Sequence, residues 1–148
     1  MEPEEIAQLR TMYVFTPPDG QSWGLTYEGL AATLRERSPE EFIRIDDGVD
    51  GPVTGSSMHF GITLNDEQLE GMALLSPEGV SVMDCTAGSA AGFVLWLKAG
   101  VVPEGASVTF NTQWGLEEDH PDTLLPDADR SGIADAFMEH LVETGGLD

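Results

Sequence analysis

Residues 58–65 carry the pattern that most restricts how this chain can fold. Apolar side chains alternate there with small or polar ones, in the order Met58, His59, Phe60, Gly61, Ile62, Thr63, Leu64 and Asn65. A period of two is typical of a β-strand that buries one face. Two further apolar segments, 69–75 and 80–85, follow on either side of Ser76-Pro77-Glu78-Gly79, which suits a type I turn. The sequence therefore predicts consecutive antiparallel strands.

Residues 89–99 predict a helix that is apolar on almost every side, and such a helix belongs inside a fold. Segments 27–37 and 131–144 predict amphipathic helices, and segments 11–16, 42–45 and 106–112 predict strands. No linker or repeat divides the chain. Residues 1–148 are therefore predicted to form a single α+β domain, a mainly antiparallel sheet of about five to six strands with about three helices packed on it.

The charge of the chain is strongly one-sided, with 27 acidic residues against six basic ones and a formal net charge of −21. Residues 1–74 contain 14 acids and four bases, and residues 75–148 contain 13 acids and two bases, so both halves are acidic. Such a field repels nucleic-acid phosphates and anionic membranes and attracts basic proteins. The charge disfavours direct nucleic-acid binding, although acidity that only maintains solubility would give the same composition.

Several site types lack the residues they need. Cys85 is the one cysteine, which excludes an internal disulfide and a multi-cysteine zinc site. The three histidines show no metal-ligand spacing and are expected to be ordinary surface residues. The small-residue run AGSAAG lacks the phosphate-binding glycine patterns. The apolar stretch 90–97 is too short to span a bilayer, and the acidic N-terminus does not resemble a signal peptide. We expect no metal, no cofactor, no membrane contact and a cytoplasmic location.

Two patterns contain residue types that can carry chemistry. Cys85 precedes the predicted buried helix, where a thiol can be activated, and His59 could serve as its base if their strands were neighbours. Asp127, Asp129 and Ser131 resemble the start of a calcium loop, but Met138 stands where the bidentate glutamate belongs. The simpler interpretations are a buried cysteine and a helix cap at Asp129 or Ser131. No catalytic residue is predicted.

The densest acidic stretch lies between Trp114 and Asp129, and we name it the acidic segment. Its acids stand beside apolar residues, which suits an interface with a basic partner, because charges steer association and large side chains anchor it. The alternative is a solvated loop with Trp114 and Leu124 folded back onto the core. The predicted partner-binding residues are Trp114, Glu117, Glu118, Asp119, Asp122, Asp127 and Asp129.

Three segments together resemble small immunity proteins of bacterial toxin systems. These are the hairpin LEGMALLSPEGVSVMD, the helix AGFVLWLKAGVVP and the tail VTFNTQWGLEEDHPDTLLPD with its terminal helix, within about residues 69–144. The resemblance implies a stoichiometric inhibitor that covers a basic toxin or nuclease and has no catalytic residue. Three alternatives stay open. They are a DNA mimic that blocks a nucleic-acid-binding protein, an enzyme that depends on Cys85, and a small-ligand module with a pocket between the sheet and helix 89–99.

Overall fold

The computed structural model describes residues 2–37, 39–46, 57–64, 66–75 and 78–145. This part of the chain forms seven strands and five helices, which confirms the predicted α+β class with slightly more elements. In chain order they are α1 (Pro3–Ala7), β1 (Thr11–Thr16), α2 (Tyr27–Arg37), β2 (Ile43–Asp46), β3 (Ser57–Leu64), β4 (Glu67–Leu75), β5 (Glu78–Cys85), α3 (Ala87–Gly100), β6 (Thr109–Thr112), α4 (Gln113–Glu117), β7 (Thr123–Leu124) and α5 (Arg130–Gly145).

The strands form one antiparallel sheet in the order β2-β3-β4-β5-β1-β6-β7. Strands β2 to β5 follow one another as a meander, and β1 then lies between β5 and β6. The predicted alternation in β3 is confirmed, because Met58, Phe60 and Ile62 are fully buried while His59 is half-buried on the opposite face. The position of β1 brings residues from the start and the end of the chain into contact.

The core lies between one face of the sheet and the long helices, and aromatic rings fill it. Phe93 of α3 stacks between Phe15 and Phe60, with ring centroids 6.0 and 6.2 Å away. Phe137 of α5 lies 4.9 Å from Tyr13 and 4.8 Å from Phe110. The predicted burial of α3 is therefore correct. The space between the sheet and this helix, proposed above as a small-ligand pocket, is occupied by these rings.

The structure corrects the expected hairpin turn. Glu78 and Gly79 belong to β5 and pair with Leu75 and Leu74, whereas positions 76 and 77 of the expected turn lie outside the described residues. The Glu78 carboxylate also accepts hydrogen bonds from the backbone N–H groups of Trp23 and Leu25. A Cβ at Gly79 would stand 2.8 Å from the Thr16 Cγ2, so this glycine allows close strand packing. Most of the expected loop 46–55 also lies outside the described residues.

Residues 115–130, expected to be a loop, contain regular structure. The Thr112 side chain caps α4 by accepting from the Gly115 N–H at 3.1 Å. The two-residue strand β7 then pairs with β6. Elements of five and two residues are too short to show a repeating pattern, so periodicity does not reveal them. No helix in the described ranges has the length and apolar character needed to cross a bilayer.

Candidate functional site

The acidic segment lies at the β6–β7 end of the sheet, and its acidic residues are exposed. Glu117, Glu118, Asp119 and Asp122 are exposed, whereas Trp114 on α4 is half-buried. Asp119 has a left-handed backbone with φ of 55°, so the chain turns sharply at this residue. The predicted acids are therefore available to a partner, and Trp114 is only partly so.

Asn111 of β6 holds this segment in place. Its Nδ2 donates to the His120 carbonyl at 2.9 Å and to Asp122 Oδ1 at 3.0 Å, while its Oδ1 accepts from the Thr112 N–H at 2.9 Å. A Cβ at Gly115 would collide with Asn111 Oδ1, so only glycine lets α4 lie this close to β6. The position of the acids depends on a buried amide that the sequence analysis did not single out.

A pair of histidines connects the acidic segment to α5: His120 belongs to the segment, and His140 lies on α5. The His120 and His140 rings meet edge to face at 5.2 Å, and His140 Nε2 lies 3.0 Å from Thr112 Oγ1. His140 is only 3% exposed, which corrects the expectation of a surface histidine. Burial, and then the proximity of His120, lowers the pKa of His140, while Glu143 opposes this shift. A signal was present in the sequence, because residue 140 shares the apolar face of Phe137 on α5.

The structure divides the six predicted acids among different surroundings. Asp119 and Asp122 line a groove of about 460 Å³, which we call the acidic groove; Asp19 lies on its far wall. Asp127 lines a separate groove that also contains Lys98. Asp129 caps α5, since its Oδ1 accepts from the Gly132 N–H at 2.9 Å, as the simpler interpretation of the calcium-like pattern expects. These acids do not form one patch.

The sheet face opposite α3 carries an apolar groove of about 210 Å³, which the sequence analysis missed. Its half-buried walls are Met12 and Val14 of β1 and Met72 and Leu74 of β4, and Ser81 of β5 forms its floor. The two grooves are adjacent, because β1 pairs with β6 between them: Val14 faces Asn111, and Thr16 faces Thr109. The sequence did contain an indication of this groove, because the alternating residues on both faces of β1 are apolar.

The structure does not bring Cys85 and His59 together. Cys85 is fully buried on the helix-covered face, and burial, then the nearby Glu67 carboxylate, raises the pKa of its thiol to about 12. His59 lies on the opposite face of β3, and β4 separates the two strands. The described residues also contain no group of three or more potential ligands able to hold a metal ion.

Comparisons with protein-family models, curated proteins and solved structures give no match. The function of this chain must therefore be inferred from its own chemistry. The features available are an acid excess, the acidic segment held by Asn111, and an apolar groove beside it on the open sheet face.

Proposed function

We propose that this chain is a non-catalytic acidic protein that binds and inhibits a basic protein such as a toxin or nuclease, as an immunity protein does in the bacterial cytoplasm. One observation carries the proposal. Arg10 with Asp84 is the one ion pair found in the described ranges of a chain that has 27 acids. The acidic side chains are thus not neutralised within the fold, and their field extends into solvent.

The acidic segment supplies the steering charge in this proposal. Glu117 and Glu118 are exposed and adjoin Asp119 and Asp122, so four carboxylates lie within six positions. Clustered exposed charge accelerates encounter with a basic surface, and a partly buried aromatic residue such as Trp114 can add contact area once the partner is bound. Asp127 would add negative charge from the groove that contains Lys98, and Asp129 would add charge while it caps α5.

The test separates local steering from total charge. The wild-type chain serves as bait in a lysate of its native host, and the captured protein is identified and purified. Association rates are then measured at low and high salt for Glu117→Lys/Glu118→Lys and for a matched control, Glu36→Lys/Glu40→Lys. Both pairs are exposed, both change the charge equally, and neither touches the Asn111–Asp122 bond.

We expect the Glu117/Glu118 variant to associate on the order of tenfold more slowly at low salt, with the difference shrinking at high salt. The control should change the rate much less. Equal slowing in both variants would mean that net charge alone acts, and a captured partner that is not basic would contradict the proposal. Competition by DNA for the captured partner would identify the DNA-mimic form of inhibition.

A further inference from the structure

The uncovered sheet face offers a more specific contact than acidity alone. The helices bury Tyr13, Phe15 and their neighbours on one side of the sheet, while Met12, Val14, Met72 and Leu74 are only half-buried on the other. Their cross-strand row runs from Met72 through Ser81 and Val14 to Asn111. Ser81 in the middle is small, so its neighbours form walls around a depression rather than a flat surface.

We propose that the apolar groove and the acidic groove form one docking site, in which a basic protein segment places an apolar side chain over Ser81 and a lysine or arginine beside Asp119 and Asp122. This inference rests on the proposed function and specifies the partner's recognition chemistry. The apolar groove, about 210 Å³, has room for one large side chain, since an engineered apolar cavity of about 150 Å³ holds benzene. A contact of this kind is the anchor that steering charges require.

Charge complementarity decides the occupant. Asp19, Asp119 and Asp122 border the docking site on its β6 side, and Glu70 pairs with Met83 on the β4 side. Arg44 pairs with His59 on the edge strand and shares this face, whereas Arg10, just before β1, is paired with Asp84. Acids thus outnumber free bases around the groove.

A second copy of the chain is a poor occupant of the same face. A symmetric dimer would bring the same surface patch of each protomer together. The two acidic grooves would then repel one another, because each chain carries a net charge of −21. A basic partner turns that repulsion into attraction.

The geometry also sets the spacing of the partner's side chains. Strand β5 lies beneath the apolar groove, and β6, two strand spacings or about 10 Å away, borders the acidic groove. An extended peptide rises about 3.3 Å per residue and turns successive side chains to opposite faces, so two residues that both face the sheet stand an even number of positions apart. Four positions, or about 13 Å, is the shortest even spacing that spans this distance.

Three synthetic peptides test the docking site. One carries leucine and arginine four positions apart, the second replaces leucine with serine, and the third replaces arginine with glutamate. We expect the wild type to bind the first at least tenfold more tightly than either of the others. The Met72→Gln/Leu74→Gln variant should lose the preference for leucine over serine, and the milder Met72→Gln should reduce it. Ile45→Gln, at a 52% exposed position on the edge strand, is the matched control and should keep the preference.

Methionine methyl signals locate the bound peptide without any substitution. Met12 and Met72 line the groove, Met58 is fully buried on the covered face, and Met138 lies on α5. With carbon-13-labelled methionine methyls, the first peptide should shift the Met12 and Met72 signals and leave those of Met58 and Met138 in place.

Several results would overturn the docking site. Equal binding of the leucine and serine peptides would mean that acidity alone determines affinity. That result would refute the role of the apolar groove without contradicting the proposed function. A preference that survives in a folded Met72→Gln/Leu74→Gln variant would place the contact elsewhere. A wild-type dimer that this variant dissociates would make the face a self-association surface. Failure to bind either basic peptide would also refute the site, whereas the proposed function is decided separately by the captured partner.

Discussion

Asn111 connects the sheet to the acidic segment, and its replacement by aspartate tests how far the position of the acids depends on it. The side chain is 2% exposed and donates from Nδ2 to the His120 carbonyl and to Asp122 Oδ1. Asn111→Asp keeps the shape and the acceptor for the Thr112 N–H. It removes both donors, however, and sets a second carboxylate against Asp122.

The expected loss of stability follows from these contacts. A neutral hydrogen bond contributes about 0.5–1.5 kcal/mol, and one to a charged group about 1.5–3 kcal/mol. Repulsion between the carboxylates adds on the order of 1 kcal/mol, because Asp122 is exposed and water screens the pair. We therefore expect Asn111→Asp to lower the free energy of unfolding by about 3–5 kcal/mol, a large share of the stability of an ordinary domain.

Urea unfolding at several pH values measures this effect. The neighbouring carboxylate raises the pKa of the introduced carboxyl group in the folded state, so the deficit against wild type should shrink as the pH falls through that raised pKa. The double variant Asn111→Asp/Asp122→Asn removes the repulsion and restores a donor at position 122, and it should recover part of the loss. Wild-type stability of Asn111→Asp, or no recovery in the double variant, would refute the role assigned to Asn111.

Three further predictions follow from single positions. The folded-state pKa of His140 lies below its unfolded value near 6.5. The contribution of His140 to stability is therefore complete above that pH and declines as the pH falls towards the folded pKa. His140→Gln should make the urea midpoint depend less on pH between pH 7 and 5. Gly71→Ala should destabilise by about 1–3 kcal/mol because its methyl group collides with Phe60, whereas Gly88→Ala, with open space around it, should not; thermal unfolding compares the two. Cys85 should react with a thiol reagent far more slowly in the folded protein than in urea, and rapid alkylation of the folded protein would revive the enzyme hypothesis.

The fold class was predictable because local periodicity determines each long element. The alternation in β3 and the apolar surface of α3 are visible within a dozen residues, and both elements formed as expected. The strand order was not predictable in the same way. β1 pairs with β5 and β6, which follow it by more than 60 positions, and no local pattern encodes that choice.

The candidate site was only partly accessible to the sequence. The acids were evident as residues, but their grouping was not: Asp119 and Asp122 share a groove because the Asn111 amide binds this turn, whereas Asp129 is used as a cap. The apolar groove was missed because segment 11–16 was predicted to be a strand without any analysis of its two faces. Met12 and Val14 point away from the helix-covered face and are still apolar.

That second apolar face favours the proposed recognition of a partner over acidity that only maintains solubility. An acidic surface that only keeps a protein in solution needs no half-exposed methionines and leucine at the centre of its sheet, since such residues favour association. Uniform charge would bind a basic partner in many orientations. A groove that accepts one apolar side chain beside the Asp119 and Asp122 carboxylates would select one orientation. In the proposed complex the two features would act on different steps: the acids would raise the rate of encounter, and the groove would lower the rate of release. Salt should therefore change mainly the rate at which the partner associates. Met72→Gln/Leu74→Gln should change mainly the rate at which it dissociates.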